Sequence, residues 1–427
     1  MKRFSYSRRW LAAGGLVVGL LSSSAAHAQT QRTSPDTVRV PTMPDVALDS
    51  VQVAPQTVDI SGWLLLDKDI QLELDGAVQN LYNFKFNKAE KQFHSLRRRY
   101  PQHPMSYFLL GLSTWWKMMP TNVTDTRYDK VFLAYLDTAQ AKGEALYKAD
   151  PHNYEACFFL AGAYGFEARL HSERHNWRKA TVASRRALNY LEKSQEANGL
   201  SAEFLFGQGL FSYYAVWIAE EYPWLRPILF FFPKGNRERG IAQLRQVGQT
   251  AFYTATEANF FLVTILNSAR ENNPEAAYLL ARQLATQFPD NSHFQVDYAK
   301  LCFQLGKYDE SERACRSVLN KYAIGQVGYE AYAGRAATYI LGYLMQHKYR
   351  DLAQAKDYYQ RCLVYSEQSG MANRGYYIFA EAGLARLALN DHDLLEARRY
   401  YRAVVEQSDN GQDVYKEARA WLRSHPQ

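Results

Sequence analysis

From Trp63 onward, small and apolar residues recur three and four positions apart nearly to the end of the chain. That is the period of helices with one buried face. The clearest stretch is Gly306–Tyr322, GKYDESERACRSVLNKY. Gly306 predicts a turn after one helix, and Tyr308 packs where the next begins. Asp309 and Glu310 set acids in its first turn, where they complement the helix dipole. Ser311, Cys315 and Val318 then share one face. The same triplet returns as Ala89–Phe93–Leu96, Ala139–Gly143–Leu146 and Ala277–Ala281–Leu284, each followed by a proline (Pro101, Pro151, Pro289). It recurs more weakly as Ala180–Ser184–Ala187, Gly240–Leu244–Val247, Ala355–Tyr359–Cys362 and Ala397–Tyr401–Val404. Between these helices, Leu110-Gly111, Leu341-Gly342 and Ala382-Gly383 offer a small residue where two helices cross closely. Leu160-Ala161 is followed three residues later by Tyr164.

Taken together, these eight marks resemble the tetratricopeptide-repeat family over about residues 65–427. The resemblance implies an all-α chain: a right-handed superhelical α-solenoid of about eight helical hairpins, each completing its neighbour's core. The domain expectation is residues 1–28 as a signal peptide, 29–62 as a linker and 63–427 as solenoid. Residues 413–423 are expected to cap it with a helix that turns Trp421 and Leu422 inward. From Ala277 to Ser311 the step is 34, the family period. It lengthens to 50 from Ala89 to Ala139 and to 60 from Ala180 to Gly240, so insertions are expected near 120–128, 171–177 and 222–239.

The longest insertion is the most individual part of the chain. An aromatic helix from Phe204 to Trp217 runs into Pro223-Trp224-Leu225-Arg226-Pro227, then the apolar run Ile228–Phe232, Pro233 and a new helix near Arg237. Gly235-Asn236-Arg237-Glu238-Arg239-Gly240-Ile241 is similar to a helix start in the inclusion-body-clearance branch of the repeat superfamily. Asn236 stands where those proteins carry an acid. That resemblance implies a non-enzymatic role. Three readings stay open for Trp224, Leu225, Phe230, Phe231 and Phe232: core, a membrane-surface contact helped by Lys234, Arg237 and Arg239, or a partner interface.

By the family's geometry, first-helix side chains line the inside of the superhelix. The matching positions are Phe108, Trp115, Trp116, Phe158, Phe166, Phe211, Phe303, Tyr339 and Tyr343, which implies an aromatic groove for an extended peptide, with a core role for each as the alternative. His293, Lys300, Gln304, Gln346 and His347 would give its C-terminal half a polar rim. Repeats that clamp a terminal carboxylate place Lys and Asn at set positions, which here are aromatic or small. His171 and His175 stand four apart, a spacing that joins two imidazoles on a helix face. Glu173 is misplaced for the H-E-x-x-H pattern, no third ligand accompanies them, and surface histidines are the simpler reading. No catalytic residue, cofactor site or metal site is expected. The nucleophile-elbow and phosphate-loop motifs are missing from the sequence, and Glu220-Glu221 point about 100° apart on a helix.

Composition adds two things. Lys2, Arg3, Arg8 and Arg9 precede the apolar run Leu11–Leu21 and then Ala26-His27-Ala28, the succession of a secretory signal peptide cleaved after Ala28. Its loss leaves 46 basic against 43 acidic residues, a balance of +3 that supports no nucleic-acid partner. Arg97-Arg98-Arg99, the densest basic run, falls at a helix end, where cations suit the dipole. Residues 29–62 carry Pro35, Pro41, Pro44 and Pro55 and read as a disordered tether. Cys157, Cys302, Cys315 and Cys362 form no C-x-x-C pair. Buried thiols are the default, with a Cys302–Cys315 bridge as the alternative in an oxidising compartment. The resulting expectation is a periplasmic or secreted scaffold that presents its groove to a protein or peptide in the cell envelope. A lipid-associated solenoid using residues 223–233 is the alternative.

Overall fold

The computed structural model describes residues 58–221 and 234–426, and all regular structure within them is helical. The helices follow one another as antiparallel pairs. They are α1 (Lys68–Tyr82) with α2 (Phe86–Arg99), α3 (Pro104–Met118) with α4 (Asp129–Ala149), α5 (Tyr154–Glu173) with α6 (Trp177–Lys193), and α7 (Leu205–Glu221) with α8 (Arg237–Thr250). Then come α9 (Ala255–Leu266) with α10 (Pro274–Gln287), α11 (Ser292–Gln304) with α12 (Tyr308–Ala323), α13 (Ala331–Leu344) with α14 (Leu352–Gln368), and α15 (Tyr376–Asn390) with α16 (Leu394–Gln407). A last helix, α17 (Asp413–Ser424), packs on α16. The all-α solenoid read from the sequence is therefore the observed architecture. Among the described residues no helix is long and apolar enough to cross a membrane.

The eight anchor triplets fall on α2, α4, α6, α8, α10, α12, α14 and α16. Every residue in them is buried except Leu146, which is half-buried. A polar residue fits the small position where it is satisfied: the Ser311 hydroxyl donates to the Ala299 carbonyl at 2.8 Å. Helix starts are capped by side chains of Asn153, Asn273, Asn291, Asp351 and Asp393, each accepting a backbone N–H of the first turn. The turn inside a hairpin repeats one left-handed residue two places after the first helix. Gly306 takes it at φ +74°, while Phe84, His175 and His392 take it at +57°, +56° and +57°.

Close crossings occur at the predicted glycines. A Cβ on Gly111 would stand 3.1 Å from Leu136. On Gly342 or Gly383 it would stand 2.7 or 2.6 Å from the Tyr359 ring. That ring is held between α13 and α15, and its hydroxyl donates to Gln346 Oε1 at 2.8 Å.

The long repeat steps have two origins. The step to Ala139 holds the 3₁₀ turn Met119–Thr121, a loop with Asn122 and Val123 in the left-handed region, and the 21-residue α4. Arg174 ties that loop down through Asp129 (2.6 and 2.7 Å) and the Val123 carbonyl (2.6 Å). The step to Gly240 holds the 3₁₀ turns Ser194–Ala197 and Ala202–Phe204 and then α7.

The array closes on itself in its N-terminal two thirds. The Tyr82 ring packs on Trp116 at 5.3 Å and on Phe288 at 5.4 Å. The Asn291 amide donates to the Tyr82 carbonyl at 2.9 Å, and Lys85 lies 3.5 Å from Asp290. Phe84 sits on Gly328, where φ is +84°. Upstream, Trp63 meets Tyr154 and Phe204 edge-on, and the Leu65 N–H donates to Glu155 at 2.5 Å. One buried cluster therefore runs from Trp63 to Cys302, and a second from Val296 to Ala418, with α11 contributing to both.

Candidate functional site

The closure fills part of the inner face of the first helices. There Trp116 is fully buried. Its indole Nε1–H donates to Glu257 Oε1 at 2.7 Å, and the same oxygen accepts from the Tyr82 hydroxyl at 3.2 Å. Burial holds the Glu257 carboxyl above its ordinary range, against the hydrogen bonds from Trp116 and Tyr82 and the charge of Arg169. Trp115 is also buried, tilted against Phe132 and Phe166 with the Arg169 guanidinium 4.5 Å from its ring centroid. Phe211 is buried on α7, and Tyr339 is buried among Tyr359, Tyr376 and Phe379. These four side chains are core and do not line an open groove. For Trp116 the cause is the closure: α1, α9 and α11 cover α3, so Tyr82, Phe260 and Phe294 take the place a ligand would need.

The other groove candidates are half-buried. Phe108 lies edge-on to Phe159 and Phe166, and Phe158 lies edge-on to Phe204. Phe303 meets Tyr343 at 5.0 Å, and Tyr343 meets His347 at 4.3 Å. Trp224, Leu225, Phe230, Phe231 and Phe232 lie outside the described residues.

The polar rim disperses. His293 Nε2 donates to the Met119 carbonyl at 2.6 Å, and burial lowers its pKa, so it is a neutral imidazole fixed inside the closure. Lys300 pairs with Asp297 at 3.1 Å. Gln346 is buried under Tyr359, while Gln304 and His347 are exposed.

Beyond the closure, α11, α13 and α15 lie side by side. Tyr332, Arg335, Tyr339 and Tyr343 form one stripe of α13 at spacings of three and four. The Arg335 guanidinium lies 4.4 Å from the Tyr332 ring centroid and 5.6 Å from that of Tyr376. Arg386 holds Glu417 through two bonds of 2.7 and 2.6 Å. Partial desolvation of the ring, which packs on Tyr343 although the residue as a whole is exposed, and then the charges of Arg386 and Arg350 lower the His347 pKa. Sequence reading missed Arg335, Tyr332, Tyr376, Phe379 and Arg386. The signal for the first was present, an Arg inside a tyrosine stripe at helical spacing.

His171 and His175 share no helix face. His171 is buried at the end of α5, 3.7 Å from Glu167, and His175 lies beyond the helix in the left-handed turn. A cleft between α4, α5 and α6 gathers Asp137, Glu167, His171 and Lys179. Among the described residues no group of three His, Cys, Asp or Glu can hold a metal ion. The four cysteines are buried and unpaired, and burial pushes Cys302 up to about 11 and Cys157 and Cys362 up to about 12.

Residues 268–323 match the family model described as tetratricopeptide repeat. That segment spans α10, α11 and α12, and the same hairpin geometry runs through the rest of the array. That segment is tetratricopeptide-repeat-like, within an array of helical hairpins. Solved structures similar to it include the tetratricopeptide-repeat domain of P58(IPK), 15% identical, covering 83% of this chain and 99% of that one with a TM-score of 0.23. Yeast Tom70 is 9% identical, covering 84% and 88% with a TM-score of 0.25. No curated protein matches the chain.

Proposed function

We propose that this repeat protein is a non-enzymatic scaffold that holds a protein or peptide partner on the inner face of α11, α13 and α15. Stacked helical repeats create concave binding surfaces, and the first helices form that surface here. The observation that carries the reading is the half-buried aromatic face across three consecutive first helices: Phe303, then Tyr332 and Tyr343, then Tyr376 and Phe379. Planar rings supply large contact area at low side-chain entropy cost, which suits an extended partner. The basic residues, apolar run and Ala26-His27-Ala28 of the first 28 residues support an envelope location, periplasmic or secreted.

Position-specific photocrosslinking tests this. A benzoylphenylalanine at Tyr343 should give a discrete adduct with an envelope component, and the same probe at Val182, an exposed position on α6, should not. Phe303→Ala should weaken the Tyr343 adduct. Equal labelling from both positions, or from neither, would overturn the reading.

A further inference from the structure

In the first four hairpins, charge is divided between the two layers of the solenoid. The second helices α2, α4, α6 and α8 carry sixteen basic residues against six acidic ones. The first helices α1, α3, α5 and α7 carry three against eight. The last four hairpins lack this division. Their second helices carry nine basic residues against eight acidic ones, and their first helices three against three. The nearly even balance of the whole chain therefore conceals a basic outer side on its N-terminal half. On α6, Arg178, Lys179, Arg185 and Arg186 are all exposed, and α8 adds Arg239 and Arg245. Positions 178 and 185, like 179 and 186, lie seven apart, so the four α6 cations share the outward face. Among the described residues no carboxylate lies within ion-pair distance of any of them. Asp137 and Glu167 share a cleft with Arg178 and Lys179 and offset part of the charge. A surface of one sign raises the local concentration of opposite charge.

We propose that the outer side of α2, α4, α6 and α8 docks on an anionic membrane surface through phospholipid headgroups. This goes beyond the scaffold reading above and does not depend on it. The cations lie on the outside of successive hairpins, so they form a broad face and not a groove. A nucleic-acid strand asks for a basic groove with aromatic rings on which its bases stack. No aromatic ring is among the exposed residues of these four helices. The acids of the first helices leave the opposite side without the attraction, so the N-terminal half meets the surface in one orientation. Attachment of this kind is reversible. The attraction fades within a Debye length, about 10 Å at 0.1 M salt, and each Lys or Arg near the surface is worth about fivefold in affinity.

The test is vesicle flotation of the processed chain, residues 29–427. At low salt it should float with vesicles of phosphatidylcholine mixed with phosphatidylglycerol and stay behind with pure phosphatidylcholine. Binding should be lost at about 1 M salt, where the Debye length is about 3 Å. Arg178→Gln/Arg185→Gln should bind about tenfold or more weakly while keeping the wild-type melting temperature. Arg178→Lys/Arg185→Lys keeps the charge and should bind as wild type does. Lys356→Gln/Arg402→Gln removes the same charge from exposed positions on α14 and α16 and should leave binding unchanged. No flotation with the anionic vesicles, equal flotation with both kinds, or equal losses in the two Gln variants would each overturn the proposal. Retention on duplex DNA without flotation would overturn it in favour of a linear polyanion.

Discussion

Glu381 shows what a single side chain does when the solenoid buries it. It lies on α15 at 5% exposure, and burial pushes its carboxyl up to about 7 against the hydrogen bond from Gln407 and the charge of Arg399. In the unfolded chain the group ionises near 4.5. A folded pKa above the unfolded one means that the native state holds its proton more tightly. The stabilisation is therefore complete below pH 4.5 and is lost as pH rises through 7, a change of at most about 3 kcal/mol. Glu381→Gln, neutral at every pH, should melt higher than wild type at pH 8 and show a flatter melting profile between pH 5 and pH 8. Parallel profiles for the two proteins would contradict the assignment. Residue type alone tells little at this scale. Trp116 and Tyr343 were equal groove candidates, and one is fully buried while the other is half-buried. The difference lies in Tyr82, Phe260 and Phe294, which come from helices far along the chain.

Between helices, the deciding quantity is the approach distance. Gly383 and Gly76 are both helical glycines, and replacing either with Ala gains helix propensity. Gly76 on α1 is exposed with open space around it, so Gly76→Ala should stabilise by about 0.5–1 kcal/mol. Gly383 faces the Tyr359 ring, which cannot swing away while its hydroxyl is held by Gln346. Gly383→Ala should destabilise by about 1–2 kcal/mol, because overpacking a tight contact outweighs the propensity gain. Urea denaturation of the two variants gives the answer in the sign of the midpoint shift. This level was the most legible in the sequence. The spacing of small and apolar residues on even-numbered helices is imposed by contacts within and between adjacent hairpins, all of them local along the chain. Ala382-Gly383 and Leu341-Gly342 named the crossing points, and Tyr359 is the side chain that fills both.

At the scale of the molecule, the closure joins the first hairpin to the fifth, sixth and seventh. Gly328, in the loop before α13, carries both a left-handed backbone and the Phe84 ring, which stands 2.0 Å from where its Cβ would be. Gly325 in the same loop has φ +66° and open surroundings. Gly325→Ala should cost about 1 kcal/mol, the left-handed penalty alone. Gly328→Ala should cost about 2–3 kcal/mol, the excess being the displacement of Phe84. Equal costs in chemical denaturation would show that the first hairpin does not meet this loop in solution. The same closure explains why Trp116 is core: Tyr82, Phe260 and Phe294 fill the interior of the superhelix beside it.

The sequence by itself determined the helices, their pairing and the register of all eight hairpins, because each repeat reports contacts with its immediate neighbours. It also placed Phe303 and Tyr343 on the inner stripe. Only the tertiary structure decided which parts of that stripe are buried in the core. The path of the superhelix adds small rotations over many repeats, and the pairs that fix it, such as Tyr82 with Glu257 or Phe84 with Gly328, are separated by far more chain than any local period can register.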